Sequence, residues 1–163
     1  MKEMRTKELL QTYIIAITIM TILLCLFKTR FGVDVVSGPS MEPTFYNKEV
    51  VLYDVCDDST TTKVNRNDVI LFDSGNDGIY IKRVIAIAGD HIVIKDGEVY
   101  LNENELEEKY IKNDYVEGNV DLTIPSNSVF VMGDNRDVSY DSREFGVVDV
   151  DDITGIVLGF FSD

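Results

Sequence analysis

Ser40 and Lys82 have the clearest chemical potential in this chain, because the usual partner of a reactive serine is scarce. His91 is the only histidine among 163 residues, so a Ser-His-Asp arrangement would have to use it. It stands at the start of a predicted hairpin strand, where a surface or packing role is the commoner fate. A nucleophilic serine then needs another base, and a lysine kept neutral in a dry site can serve. Lys82 lies in Ile79-Tyr80-Ile81-Lys82-Arg83-Val84-Ile85-Ala86-Ile87-Ala88, where its period-2 neighbours Tyr80, Val84 and Ala86 give it an apolar face. Burial there disfavours the ammonium and lowers its pKa, which makes the amine a base. The competing reading is a strand lysine that snorkels to water, the commoner outcome for any one lysine.

Ser40 lies in Ser37-Gly38-Pro39-Ser40-Met41-Glu42-Pro43-Thr44, where a glycine and two prolines set a sharp, irregular backbone able to present a hydroxyl. Taken alone, such a segment is more often a plain turn. A third dense segment runs from Gly133 to Gly146, packing turn formers and both charge signs directly after an apolar strand. Loops of this kind order their neighbours through bidentate Arg-carboxylate pairs.

The elements that must position these residues fall into two environments. Leu9 to Phe27 are nineteen consecutive residues without a charge. At about 1.5 Å of rise per residue they span close to the roughly 30 Å hydrocarbon core of a bilayer. The run closes Leu24-Cys25-Leu26-Phe27-Lys28, with bulky residues where a cleavage site needs small ones, so an uncleaved anchor is expected rather than a removable leader or a buried core helix. Residues 1–30 carry a net charge of +3 and residues 31–163 one of −17. The acidic body disfavours nucleic-acid binding and flat adhesion to anionic lipid. Together with the basic flanks it suggests an N-terminus inside and a body outside.

The body is large enough for one core of its own and reads as a single all-β domain. Strands are expected over Glu49–Val55, Val69–Phe72, Ile79–Ala88, Ile92–Lys95, Val99–Asn102, Val129–Met132 and Ile153–Phe161. Asp96-Gly97 between two of them suits a two-residue type I′ turn. The connectors Asp57–Asn67 and Asn102–Asn119, with Glu103, Glu105, Glu107 and Glu108, read as solvated loop surface. Cys25 and Cys56 lie on opposite sides of the expected membrane boundary and offer neither a disulfide framework nor metal-ligand spacing.

Taken together, the three segments resemble the bacterial type I signal peptidases, membrane-anchored Ser-Lys proteases, and in particular their short Gram-positive-type members. Ser40-Met41-x-Pro43-Thr44 matches the serine motif. Tyr80-Ile81-Lys82-Arg83-Val84, followed by Gly89-Asp90, matches the lysine motif, and Gly133 to Gly146 the last box, all in the family's order. Ser-Met-x-Pro alone is weak evidence, whereas Gly-Asp-Asn-Arg-x-x-Ser-x-Asp-Ser-Arg-x-x-Gly is long and specific.

The resemblance implies a signal-peptidase-like β fold after one transmembrane helix, with residues 1–30 as cytoplasmic tip and anchor and residues 31–163 as the extracytoplasmic peptidase domain. It implies Ser40 as nucleophile, Lys82 as general base, Ser139 as a hydrogen-bond partner orienting the lysine, and Asp141 with Arg143 as a supporting ion pair. Substrates would be signal peptides of exported preproteins cut after Ala-x-Ala-type sites, at the bilayer and near the protein-export machinery, with no metal or organic cofactor. Alternate side chains at −1 and −3 would enter small pockets, for which Val35, Val36, Met41, Tyr80 and Ile81 are the expected walls. The Ser40 amide is the natural oxyanion donor. Some relatives place a serine two residues before the nucleophile as a second donor; here Gly38 stands there, and the oxyanion hole is left incomplete. The rival readings are another Ser-Lys processing protease and a membrane-tethered, non-catalytic binding module.

Overall fold

A computed structural model of the chain describes residues 2–56, 64–75, 78–113 and 116–161. The first element is a helix, α1 (Lys2–Arg30), which extends beyond the uncharged run at both ends. Its segment Lys7–Arg30 is long and apolar enough to cross a membrane, and none of its described side chains is buried against the body, unlike a core helix. Leu10, Ile17 and Leu24 each expose more than half of their surface, which suits a lipid-facing helix.

The remainder is mostly strand. β1 (Phe31–Val35) follows the helix directly, then β2 (Val50–Val55), β3 (Val69–Asp73), β4 (Ile79–Ile87), β5 (His91–Lys95), β6 (Glu98–Leu101), β7 (Asn104–Glu105), β8 (Val120–Thr123) and β9 (Ser128–Met132). A one-turn helix, α2 (Ser142–Phe145), precedes β10 (Val148–Asp149), and a 3-10 turn leads into β11 (Ile153–Phe161). The seven strands expected from the sequence are all present, within one or two residues at their ends. β1, β7, β8 and β10 are additional. Of the connector Asp57–Asn67, residues 57–63 lie outside the described residues.

The strands form two antiparallel sheets, one of seven in the order β1-β2-β11-β3-β4-β9-β10 and one of four in the order β7-β6-β5-β8. At the β5–β6 turn, Asp96 and Gly97 have φ of 54° and 90°, the positive pair that a type I′ turn requires. Ile92, Ile94 and Val99 of the smaller sheet bury themselves against Ile85, Phe130 and Met132 of the larger one. Each such side chain removed from water contributes roughly 1.5–3 kcal/mol, so this seam fixes the smaller sheet on the larger.

β4 is interrupted by a register shift between Val84 and Ala86 in its pairing with β9. Before it, Tyr80 and Val84 pack into the cluster around Ile70 and Val131; after it, Ala86 joins the inter-sheet seam instead. The expected shared face of Lys82 therefore holds for Tyr80 and Val84 and fails at Ala86, because one extra residue reverses the alternation.

Candidate functional site

The Ser40 turn is pinned at its base by backbone bonds. Val36 N–H donates to the Glu49 carbonyl and Lys48 N–H to that of Val36, both at 2.8 Å, while Phe45 N–H reaches the Met41 carbonyl at 2.9 Å. Gly38 takes φ +89°, a conformation open to glycine at little cost. Met41 was expected to wall a substrate pocket, but it is fully buried among Val36, Phe45, Val51 and Val69. The helical turn that raises Ser40 to the surface directs the next side chain into the core, so Met41 roots the turn.

Lys82 sits in β4, paired with Ile70 of β3, and is 5% exposed. Its Nζ lies 3.0 Å from Ser40 Oγ and 3.1 Å from the Ile81 carbonyl oxygen. It forms no ion pair among the described residues. Burial pulls its pKa from the ordinary 10.5 down to about 8, a fall only partly offset by the charge of Asp141.

The third segment holds the serine turn in place. Asn135 donates its backbone N–H to the Ser40 carbonyl at 3.0 Å and its side-chain amide to that of Pro39 at 3.1 Å, gripping two consecutive carbonyls of the turn. At Gly133 a Cβ would stand 2.3 Å from Ser139 Oγ and 2.5 Å from the Ser40 carbonyl oxygen, so only glycine fits. Asp141 and Arg143 form a bidentate pair at 2.8 and 2.9 Å. Asp141 also accepts from Gly133 N–H at 3.0 Å and caps α2, while Arg143 donates to the Arg136 and Ser139 carbonyls. Ser139 does not make the bond to Lys82 expected of it. Its hydroxyl is tucked over Gly133, buried and without a hydrogen-bond partner, while Lys82 turns to the Ile81 carbonyl.

Several structural residues of the site were not singled out from sequence. Arg83, one residue after Lys82 and on the opposite face of β4, makes a buried bidentate pair with Asp134 at 2.8 and 2.6 Å. Thr44 of the serine turn donates to the same carboxylate. Arg136 pairs with Glu108 at 2.9 and 2.5 Å, and both side chains are almost wholly buried, so Glu108 is not the solvated loop residue expected. The signal was a basic residue in a strand or box otherwise destined for the interior, which calls for an acid somewhere. His91 lies on the smaller sheet beside Asp121 at 2.8 Å, on the surface.

A cleft of about 430 Å³ opens beside Ser40 and Lys82, and its walls include Val35, Val36, Tyr80 and Ile81. β1 pairs with β2 alone, and β9 covers β4 only from Arg83 onward, so both sides of the cleft present strand edges. Four successive antiparallel pairings link β1 to β4 through β2, β11 and β3, so β1 and β4 run in the same direction. Gly38 N–H donates to Asn47 Oδ1 at 3.0 Å and is therefore already engaged. Among the described residues no cluster of three or more His, Cys, Asp or Glu could hold a metal ion.

The profile of the family described as Signal peptidase, peptidase S26 matches residues 6–161. A crystal structure of a signal peptidase I from Enterococcus faecalis V583 aligns with a TM-score of 0.49 and 32% identity, covering 60% of this chain and 98% of that one. Signal peptidase IB of Staphylococcus aureus strain Mu50 is 31% identical over 93% of this chain and 88% of its own length. Signal peptidase I U of Bacillus subtilis strain 168 is 33% identical over 94% and 86%. The serine turn, the lysine strand and the Gly133–Gly146 box all lie within the matched span, and on that profile and those relatives the chain belongs to the signal peptidase family, peptidase S26.

Proposed function

We propose that this chain removes N-terminal signal peptides from exported preproteins, cutting after Ala-x-Ala-type sites with a Ser40–Lys82 dyad. The observation that carries the reading is the 3.0 Å approach of Lys82 Nζ to Ser40 Oγ at the buried side of an open cleft, with no carboxylate among the described residues paired to the lysine.

In the neutral form, Lys82 accepts the Ser40 hydroxyl proton as Oγ attacks the scissile carbonyl carbon. The Ser40 N–H faces the developing oxyanion. The tetrahedral intermediate collapses as the carbon–nitrogen bond breaks, and Lys82 returns the proton to the leaving amine. The signal peptide remains as an ester on Ser40. A water that gives its proton to Lys82 then attacks the ester, and Ser40 recovers its own on release. Asp141 and Arg143 act on this chemistry only through the backbone they tie together.

An extended substrate fits the space between the edges of β1 and β4, its −1 and −3 side chains meeting Val36, Val51, Leu71 and Ile81 on one face. Residues 1–30 form the cytoplasmic tip and anchor, and residues 31–163 the extracytoplasmic catalytic domain. β1 begins at Phe31, directly after α1 ends, which keeps Ser40 close to the membrane surface. The test is cleavage of a preprotein bearing one Ala-x-Ala site by detergent-solubilised enzyme, with the new N-terminus sequenced. Wild type should cut at that site, and Ser40→Ala and Lys82→Ala should not. Undiminished cleavage by Ser40→Ala would overturn the reading.

A further inference from the structure

A second groove, of about 450 Å³, continues from the catalytic cleft, sharing Tyr80 and Tyr140 with it as a common wall. Its floor is aromatic. Tyr80 meets Phe72 at 5.9 Å and Phe145 at 6.5 Å, and Tyr140 meets Phe145 at 5.4 Å between ring centroids. Its rim carries the exposed carboxylates of Asp73 and Asp152, and no basic side chain is among the described residues that line it.

Resting on the signal-peptide reading above, we infer that this groove is a second substrate subsite, taking a long, cation-ended side chain at position −2 of the preprotein. Three observations converge. Tyr80 projects from β4 on the face opposite Ile79 and Ile81, so an extended peptide that buries −1 and −3 against Ile81 turns −2 towards Tyr80. The groove leads from Tyr80 to Asp73, which pairs with Ile79 at the start of β4, away from Lys82. A peptide running parallel to β1 and β4 has its residues before the scissile bond in that direction and those after it beyond Lys82. The walls also suit the stem and head of Lys or Arg, with methylenes and charge over aromatic faces and the head near two carboxylates.

The test uses the full-length enzyme in detergent and preproteins of the form Ala-x-Ala that differ only in x, Lys or Glu, with kcat/KM read for each. Wild type should favour Lys over Glu by roughly ten-fold. The double variant Asp73→Asn with Asp152→Asn should bring the ratio close to one, and a ratio within one preparation cancels any loss of folded enzyme. A wild-type ratio near one with both substrates cut, or a preference that survives the double variant, would overturn the subsite. So would charge dependence found at −4 or +1 but not at −2. Failure of wild type to cut either substrate would instead overturn the peptidase reading, and this inference with it.

Discussion

Lys82 and Arg83 are consecutive on β4, both basic and both nearly buried, yet the two faces of the strand treat them in opposite ways. Arg83 meets the Asp134 carboxylate twice, donates to the Asn67 carbonyl at 3.0 Å and lies 4.1 Å over the Tyr110 ring. Lys82 meets a hydroxyl, a carbonyl and the edge of a cleft. A guanidinium keeps its charge, so when buried it needs a carboxylate and then braces the structure; a buried ammonium denied one holds its proton less tightly, with the pKa of Lys82 down at about 8. The difference lies in which acids the Gly133–Gly146 box supplies: Asp134 to one face, and Asp141 committed to Arg143 on the other.

Exchanging what each residue does is the most direct way to break that comparison. Lys82→Ala should lower kcat/KM by roughly 10⁴-fold or more while the chain stays folded, with its far-UV circular dichroism unchanged. Arg83→Ala should act through stability, since it leaves Asp134 buried and unpaired, a loss of about 3–5 kcal/mol by chemical denaturation. If Lys82→Ala unfolded the protein, or Arg83→Ala left it fully stable, the two faces would not have the roles assigned to them.

A finer test reads the proton on Lys82 itself. Its pKa is about 8 in the fold against 10.5 when exposed, so holding the ammonium costs the folded state about 3 kcal/mol. The lowered value sets the sign: the unfolded chain binds the proton more tightly, so the penalty is full below about pH 8 and disappears as pH rises towards 10.5. Lys82→Met should therefore be more stable than wild type by about 3 kcal/mol at neutral pH, and the gain should vanish by about pH 10.5. In wild type, kcat/KM should climb with pH through about 8 as the amine loses its proton, and a flat profile would contradict a lysine base.

These contrasts also explain which parts of the molecule were legible in the sequence. Strands with strong apolar alternation, such as Ile92–Lys95 beside Asp96-Gly97, declare themselves because period and turn chemistry agree. Val120–Thr123 does not: its alternation lasts only four residues directly after an acidic connector, and pairing with β5 decides its state. Phe31–Val35 follows the anchor helix without a turn signal and is a strand because β2 pairs with it throughout. Within the site, Ser40 and Lys82 were legible because few residue types can do their chemistry. Met41, Glu108 and the Ser139 hydroxyl were not, since their surroundings come from segments distant in sequence. The bulge that moves Ala86 to the other face has no local signature at all.

The smallest expected effect lies on the other sheet and guards the assignment of the base. His91 is the only side chain whose ordinary pKa falls near neutrality, so it is the rival explanation for any pH dependence between 6 and 8. Its partner Asp121 is 77% exposed, and the pair sits on β5 and β8, outside the sheet that carries Ser40 and Lys82. Such an exposed pair is worth under about 1 kcal/mol. His91→Asn should therefore leave kcat/KM and its pH midpoint where they are and lower stability by less than about 1 kcal/mol. A midpoint that moved with this substitution would transfer the titration from the lysine to the histidine and dissolve the contrast between the two faces of β4.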